Sequence, residues 1–358
     1  MAGGPWLYAT SGTGNLSDVL ATLYRDKVVN QINRSCVQPQ LFPVRNGTGK
    51  NISWDVAFTN ASGYTNGPVA DGATVSVYNS DTKVPAVLQY TSYIEAVSVG
   101  GRAQAAAASA GNPMAFANLL GYEILEAARR LALKISQDFY TGTGATNQLQ
   151  GLYSTTGTTY GALIGSGTYA GISRSTYSEW ACNVDAGSSV NRELTVDLMR
   201  TMRRTIYTAS GMKPDLIITD PIQFEKYART FGPNRRYLPE VTMRGQKIVL
   251  DGGFSALDFD GIPVVEDVNH PAGKMSFFNT NYCYISQLPY SPEMADGGGD
   301  MMLSGTPEEQ FGEGNIKLSA KFLPLARVGD AKNIELVCYP QIVVERPNTC
   351  GSITYLAS

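Results

Sequence analysis

Residues 112–140, NPMAFANLLGYEILEAARRLALKISQDFY, constrain the fold more than any other stretch of the chain. Asn112 can cap a first turn, and Pro113 fits the first helical position, where its missing N–H costs nothing. Apolar side chains then recur every three or four positions, at Leu120, Ile124, Ala128, Leu131, Ile135 and Phe139, which predicts one continuous buried stripe. Arg129, Arg130, Lys134, Glu123 and Glu126 fall largely off that stripe, so the opposite face is expected to be wet or to meet something polar. At 1.5 Å per residue the helix is roughly 40 Å long, well beyond the globular average. Flanked by strand-rich sequence on both sides, it reads as a strut, although a long core helix in an ordinary α+β domain fits this stretch as well.

The segment before the helix switches to a period of two. In NISWDVAFTN, Ile52, Trp54, Val56 and Phe58 alternate with Ser53, Asp55, Ala57 and Thr59, the pattern of a half-buried strand. A turn-rich stretch and two further strand-like runs follow, so residues 51–100 read as one long β-hairpin. It has little apolar bulk of its own, and a two-stranded ribbon is marginal by itself. Either a neighbour covers it or it folds back on its own domain. Upstream, residues 1–13 suggest an extended arm, and Ser17–Asn33 a short amphipathic helix.

Downstream, the polar, Gly-rich run to about Ser189 reads as a surface excursion. Its Gly142–Gly144 pair follows a helix and lacks the strand context and the Lys-Ser/Thr of a phosphate loop. A second helix is expected over 193–209, with Leu194, Leu198, Met199, Met202 and Ile206 inward and Gly211 as its stop. Strand 215–219 then meets a third helix capped by Asp220 and begun by Pro221. Strands through KIVLDGG, FDGIPVVED, KMSFFN and YCYIS complete an α/β unit. The last strands, NIKLSAKFLPLA and NIELVCYPQIVVERP, are expected to return to the strut. The acidic loop Asp296–Asp300 lacks the ligand spacing of a calcium loop.

Charge and residue usage exclude several function classes. Charged residues make up 16% of the chain against the usual quarter. Such a surface suits packing against neighbours. A net charge of −3 leaves no basic excess for a dedicated nucleic-acid binder. The five cysteines are scattered without a CxxC pair and are expected to be reduced and structural. The single histidine, His270, sits in a turn-like NHPAG and reads as a loop residue. One histidine rules out Ser–His–Asp, Cys–His and multi-histidine metal chemistry within one subunit. Neither an apolar run of 18 residues nor a secretion signal is present, which predicts a protein made and assembled in the cytosol, with no membrane partner.

The order of these parts resembles the tailed-phage major capsid proteins of the Hong Kong 97 fold, over roughly residues 15–350. FYTGTGATNQLQGLY resembles that family's exit from its long helix. TASGMKPDLIITDPIQFEKYARTFGPNRRYL resembles its strand, P-x-x-(F/W) helix and G-R-Y turn, and FDGIPVVEDVNHPAGKMSFFN its G-x-P-V-V turn and strand. The resemblance implies an α+β Hong Kong 97-like fold divided into an N-terminal arm and short helix (1–50), an E-loop hairpin (51–100), a peripheral domain (101–190) with spine helix 112–140, an axial domain (191–305) and return strands of the peripheral domain (306–358). It implies a major capsid protein that self-assembles through pentamers and hexamers into an icosahedral shell around double-stranded DNA. No enzymatic activity and no cofactor are expected. The implied partners are further copies of the chain, a separate scaffolding protein, a portal protein, a cement or decoration protein, and packaged DNA without sequence-specific contact. The implied place is the virion capsid, built in the host cytoplasm.

Candidate subunit-interface residues are Trp54, Phe58, Tyr64, Tyr78 and Lys83 on the hairpin, Arg129 and Arg130 on the spine, and Arg235 and Arg236 beyond the third helix. Some members of the family join an E-loop lysine to a neighbour's asparagine beside a glutamate. Lys83 is the lone lysine between Trp54 and Gly101, but Glu335, Glu345, Asn333 and Asn348 do not align with that reactive set, which favours a shell without isopeptide bonds. Two rival functions share some of these features: an encapsulin-type nanocompartment shell, and a Gly-rich-loop hydrolase or transferase.

Overall fold

The structure is a computed structural model and describes residues 38–58, 68–74, 83–102, 113–145, 148–155, 159–230, 237–238, 240–243, 246–249, 256–288, 321–324 and 331–357. The expected N-terminal arm and amphipathic helix, Tyr64, Tyr78, Arg235, Arg236, Cys36 and the Asp296–Asp300 loop lie outside these residues.

In chain order, a short helix α1 (Gln38–Leu41) leads to β1 (Val44–Asn46) and the ribbon strands β2 (Asn51–Ala57) and β3 (Lys83–Gln89). Strand β4 (Tyr93–Gly100) then precedes the long helix α2 (Pro113–Thr141). A hairpin of β5 (Thr168–Tyr169) and β6 (Ile172–Ser173) and the strand β7 (Asn183–Asp185) lead into α3 (Val196–Ser210), β8 (Leu216–Thr219) and α4 (Pro221–Thr230). Strands β9 (Tyr237–Leu238), β10 (Glu240–Met243), β11 (Gln246–Val249), β12 (Ala256–Phe259), β13 (Ile262–Glu266), β14 (Met275–Phe278) and β15 (Cys283–Gln287) follow. The chain closes with β16 (Lys321–Pro324), β17 (Ala331–Cys338), β18 (Pro340–Val344) and β19 (Gly351–Ile353).

The long helix forms within one residue of the expected bounds, and Ala128, Leu131, Ile135 and Phe139 are buried along its stripe. Glu126, expected off the stripe, is also buried, neutralised by Arg129 one turn away at 2.9 Å. Strand β2 shows the expected alternation, with Ile52 buried and Ser53, Asp55 and Ala57 exposed. It pairs antiparallel with β3 in a register that sets Asn51 opposite Gln89 and Ala57 opposite Lys83.

The ribbon ends there and does not run to residue 100. Strand β4 instead pairs antiparallel with β17, which also pairs with β16, and this sheet packs along the spine. Tyr93 explains the divergence, because its ring is buried and its hydroxyl bonds to Asp138 of the helix. A second three-stranded sheet, β1-β15-β18, carries YCYIS, which therefore leaves the α/β unit to which its sequence position assigned it.

That unit is a seven-stranded sheet of order β7-β19-β14-β8-β13-β12-β9. Its central strand β8 is buried on both faces, as a continuous apolar run requires. Ile217 points to a core shared with Met199, Met202 and Ile206 of α3 and Phe224 of α4, while Leu216 and Ile218 point to the core around the spine. Helix α3 starts at Thr195, whose hydroxyl accepts from Leu198 N, and stops at Gly211 in the left-handed region (φ 73°). The chain's end is not confined to the spine side: β19 crosses into the seven-stranded sheet between β14 and β7.

The Gly/Ser/Thr/Tyr-rich segment expected at the surface is core. Leu149, Leu152, Tyr153, Leu163, Tyr169, Ile172, Trp180 and Cys182 are buried in the spine-side cluster. Arg174 organises it from within, 4% exposed, giving hydrogen bonds to the carbonyls of Gly161, Ala162 and Ser166. Glycines make the tight turn off the spine: a Cβ on Gly151 would lie 2.5 Å from Gly142 N and 2.7 Å from Asp138 O.

Candidate assembly surfaces

The root of the ribbon is held by its own chain. Phe58 stacks on Tyr177 with ring centroids 4.2 Å apart and meets Trp180 edge-on, and it is buried. The Trp54 indole N–H donates to the Glu345 carbonyl at 3.2 Å. Val87 N donates to Ala170 O at 2.9 Å, which fastens β3 to the β5–β6 hairpin.

Trp54 and Phe58, expected at a subunit interface, make these contacts within their own chain, with Phe58 buried and Trp54 half-buried. The outward face is different: Ser53, Asp55, Ala57, Lys83, Pro85, Val87 and Gln89 are exposed, as is the described stretch 68–74, including Val69. Beside the root opens a cleft of about 360 Å³ lined by Trp54, Asp55, Trp180, Tyr282, Glu345 and Asn348 among others.

Both spine arginines are paired within the chain. Arg129 reaches Glu126, and Arg130 Nε donates to Glu95 of β4 at 2.8 Å, with about half of the Arg130 side chain exposed. At the helix end the carboxylate of Asp138, 3% exposed, accepts from Tyr93 Oη at 2.8 Å, Lys134 Nζ at 3.1 Å and Gln148 Nε2 at 3.1 Å. Burial and this carboxylate together push the Tyr93 phenol well up from its ordinary value, so it stays a donor.

A second polar cluster joins the spine to the loop between β13 and β14. Tyr140 Oη donates to Asp267 at 2.8 Å, and the Asn269 amide N–H donates to the same carboxylate at 2.9 Å. Burial lifts the Asp267 carboxyl to about 6 against those two donors. His270, expected in an open loop, is buried: Nε2 lies 2.7 Å from Ser276 Oγ, Nδ1 lies 3.1 Å from Pro271 O, and the rings of Tyr140 and Tyr153 pack edge-on against it. Burial pushes its pKa down to about 3, so the ring is a neutral packing and hydrogen-bonding element. Sequence reasoning missed this cluster because its members come from three separated segments.

Two of the residues considered for a covalent link have partners within the chain. The Glu345 carboxylate lies 3.4 Å from Arg45, and Asn348 Oδ1 accepts from Arg346 Nε at 3.1 Å. Glu335 and Asn333 lie on β17, opposite Ala96 and Ser98 of β4. Lys83 is exposed at the far end of the paired ribbon. Among the described residues, no group of three His, Cys, Asp or Glu side chains is placed to hold a metal ion, and no helix is long and apolar enough to cross a membrane.

The profile of the SU10 major capsid protein family matches residues 53–297, more than half of the chain. The chain belongs to this family. The capsid protein also shares its fold with solved shells. It aligns with the cyanophage A-1(L) capsid asymmetric unit at 21% identity and a TM-score of 0.71, over 96% of this chain and 98% of that one. The capsid of an empty GTA particle aligns at 11% identity and 0.55, over 93% and 94% of the two chains. The capsid of Myoviridae phage XM1 aligns at 9% and 0.51, over 97% and 100%. No curated protein matches the capsid protein's sequence. Its architecture is the Hong Kong 97-like capsid fold: ribbon, spine helix and several sheets.

Proposed function

We propose that this capsid protein assembles through pentamers and hexamers into the icosahedral shell of a tailed bacteriophage, enclosing its double-stranded DNA. The observation that carries the reading is the family match over residues 53–297, on a subunit whose ribbon is anchored at the root and exposed along one face. In this reading the ribbon β2–β3 is the E-loop, the spine with its two three-stranded sheets is the peripheral domain, and the seven-stranded sheet with α3 and α4 is the axial domain. Repeating one asymmetric contact around closed rings needs a surface that does not repel its own copies, and a chain with 16% charged residues supplies that. Its net charge of −3 keeps packaged DNA from adhering to the wall.

The shell would be a structural assembly without catalysis of its own, built in the host cytoplasm on a separate scaffolding protein, entered by DNA through a portal, and reinforced by a cement protein. Lys83, Val87 and the rest of the exposed ribbon face would meet neighbouring subunits, whereas Trp54 and Phe58 hold the ribbon's root. Deleting the tip, residues 63–72, tests the ribbon's part. The expected product is a soluble, folded subunit that fails to close shells, and normal particles from the deletion would contradict it.

A further inference from the structure

Two buried thiols from segments of two different sheets meet in the core. The Sγ atoms of Cys283 and Cys350 lie 3.4 Å apart, and neither side chain is exposed. Cys283 opens β15 of a three-stranded sheet, and Cys350 immediately precedes β19 of the seven-stranded sheet. They are 67 residues apart in sequence. The neighbouring Cys182 is turned to carbonyls, with Sγ 3.3 Å from Cys350 O and 3.7 Å from Asn183 O.

We propose that Cys283 and Cys350 form an oxidation site, which a small peroxide converts into a disulfide fastening the return strand β19 to the sheet of β15. A disulfide places its sulfurs about 2.05 Å apart, so the gap must close by about 1.4 Å, a displacement on the scale of side-chain rotation. Full burial excludes bulky disulfide reagents, whereas hydrogen peroxide is little larger than water.

The chemistry balances with the peroxide as two-electron oxidant. The Cys350 sulfur attacks one peroxide oxygen, the O–O bond breaks, and the departing hydroxide takes the thiol proton to become water. The resulting sulfenic acid is then attacked at sulfur by Cys283, the S–O bond breaks, and a second water leaves with the Cys283 proton. At 3.4 Å either thiol can donate to the other, so Cys283 and Cys350 can exchange roles in these two steps. The pair stays reduced in a reducing cytosol.

The test uses the purified full-length chain, reduced, freed of reductant and exposed to hydrogen peroxide, then alkylated with iodoacetamide under denaturing conditions. Two of the five thiols should escape alkylation, and non-reducing peptide mapping should recover a Cys283–Cys350 linked peptide. The closed loop should raise Tm by roughly 5 °C or more, reversibly with dithiothreitol. Cys283→Ser and Cys350→Ser should each abolish the linked peptide and the Tm gain. Alkylation of all five thiols after peroxide, a different pairing, or sulfinic and sulfonic products without the linked peptide would overturn the proposal.

Discussion

Tyr93 of β4 donates its phenol to the carboxylate of Asp138, three residues before the end of the spine helix, at 2.8 Å, with both side chains buried. This bond fixes where the chain leaves the ribbon and joins the spine. The same carboxylate holds Gln148 of the turn that leaves the helix, so one buried group sets the helix's exit and its strand neighbour together. Tyr93→Phe removes one donor and leaves Lys134 and Gln148 in place, at an expected cost of roughly 1–2 kcal/mol. Asp138→Ala strands a buried phenol and a half-buried amide and should cost more, roughly 3 kcal/mol. Urea unfolding of the subunit gives both values; an Asp138→Ala loss no larger than that of Tyr93→Phe would show that the carboxylate is not the hub.

The buried stripe of the spine is tested by a pair of neighbours. Leu131 is 5% exposed in the core, and Leu131→Ala should destabilise by roughly 2–5 kcal/mol. Arg130 is half exposed and paired with Glu95 at the surface, so Arg130→Ala should cost under about 1 kcal/mol. Equal losses at the two positions would refute the assigned face.

Much of this scaffold was legible in the sequence. Pro113 and the three-to-four spacing located the spine, alternation from Ile52 to Phe58 located the first ribbon strand, and Gly211, Asp220 and Pro221 marked helix ends. Those are local signals, and local periodicity is what a sequence displays. The partner of β4, the transfer of β15 to another sheet and the crossing of β19 depend on pairing between distant segments, which no local period encodes. The segment from Leu149 to Cys182 misled for another reason. Its Gly, Ser and Thr residues read as surface, yet Arg174 satisfies three inward carbonyls and lets a polar-looking run enter the core. His270 followed the same course: a turn-like setting hid a ring buried between Tyr140 and Tyr153.

That burial makes His270 a source of acid lability. Its folded pKa is pushed down to about 3, whereas an unfolded histidine titrates near 6.5. Between those values the unfolded chain binds a proton that the folded chain refuses, so stability is complete above about pH 6.5 and is lost as pH falls toward 3. Asp267 acts in the opposite sense over a narrower window. Its carboxyl is raised to about 6, so acidification from pH 6 toward 4 relieves a cost that burial imposes at neutral pH. The histidine's contribution is isolated by comparing wild type with His270→Gln. Between pH 7 and pH 4 the wild type should lose on the order of 3 kcal/mol more than the variant, read from urea midpoints. Parallel stability curves for the two proteins would contradict a neutral buried imidazole.

The shell should be held without covalent bonds between side chains of different subunits. Glu345 is engaged by Arg45 and Asn348 by Arg346, and Lys83 is exposed at the far end of the ribbon. Particles boiled in detergent with reducing agent should give one gel band near 38.5 kDa. A ladder of multimers surviving that treatment would mean that Lys83 or another lysine reacts after all.

Cryo-electron microscopy of particles formed by the full-length chain tests the central claim most directly. The account predicts closed icosahedral shells in which the spine and the sheets fit each subunit, with the exposed face of the β2–β3 ribbon lying on a neighbouring copy. A chain that remains monomeric, or shells whose ribbons touch their own subunit alone, would contradict it.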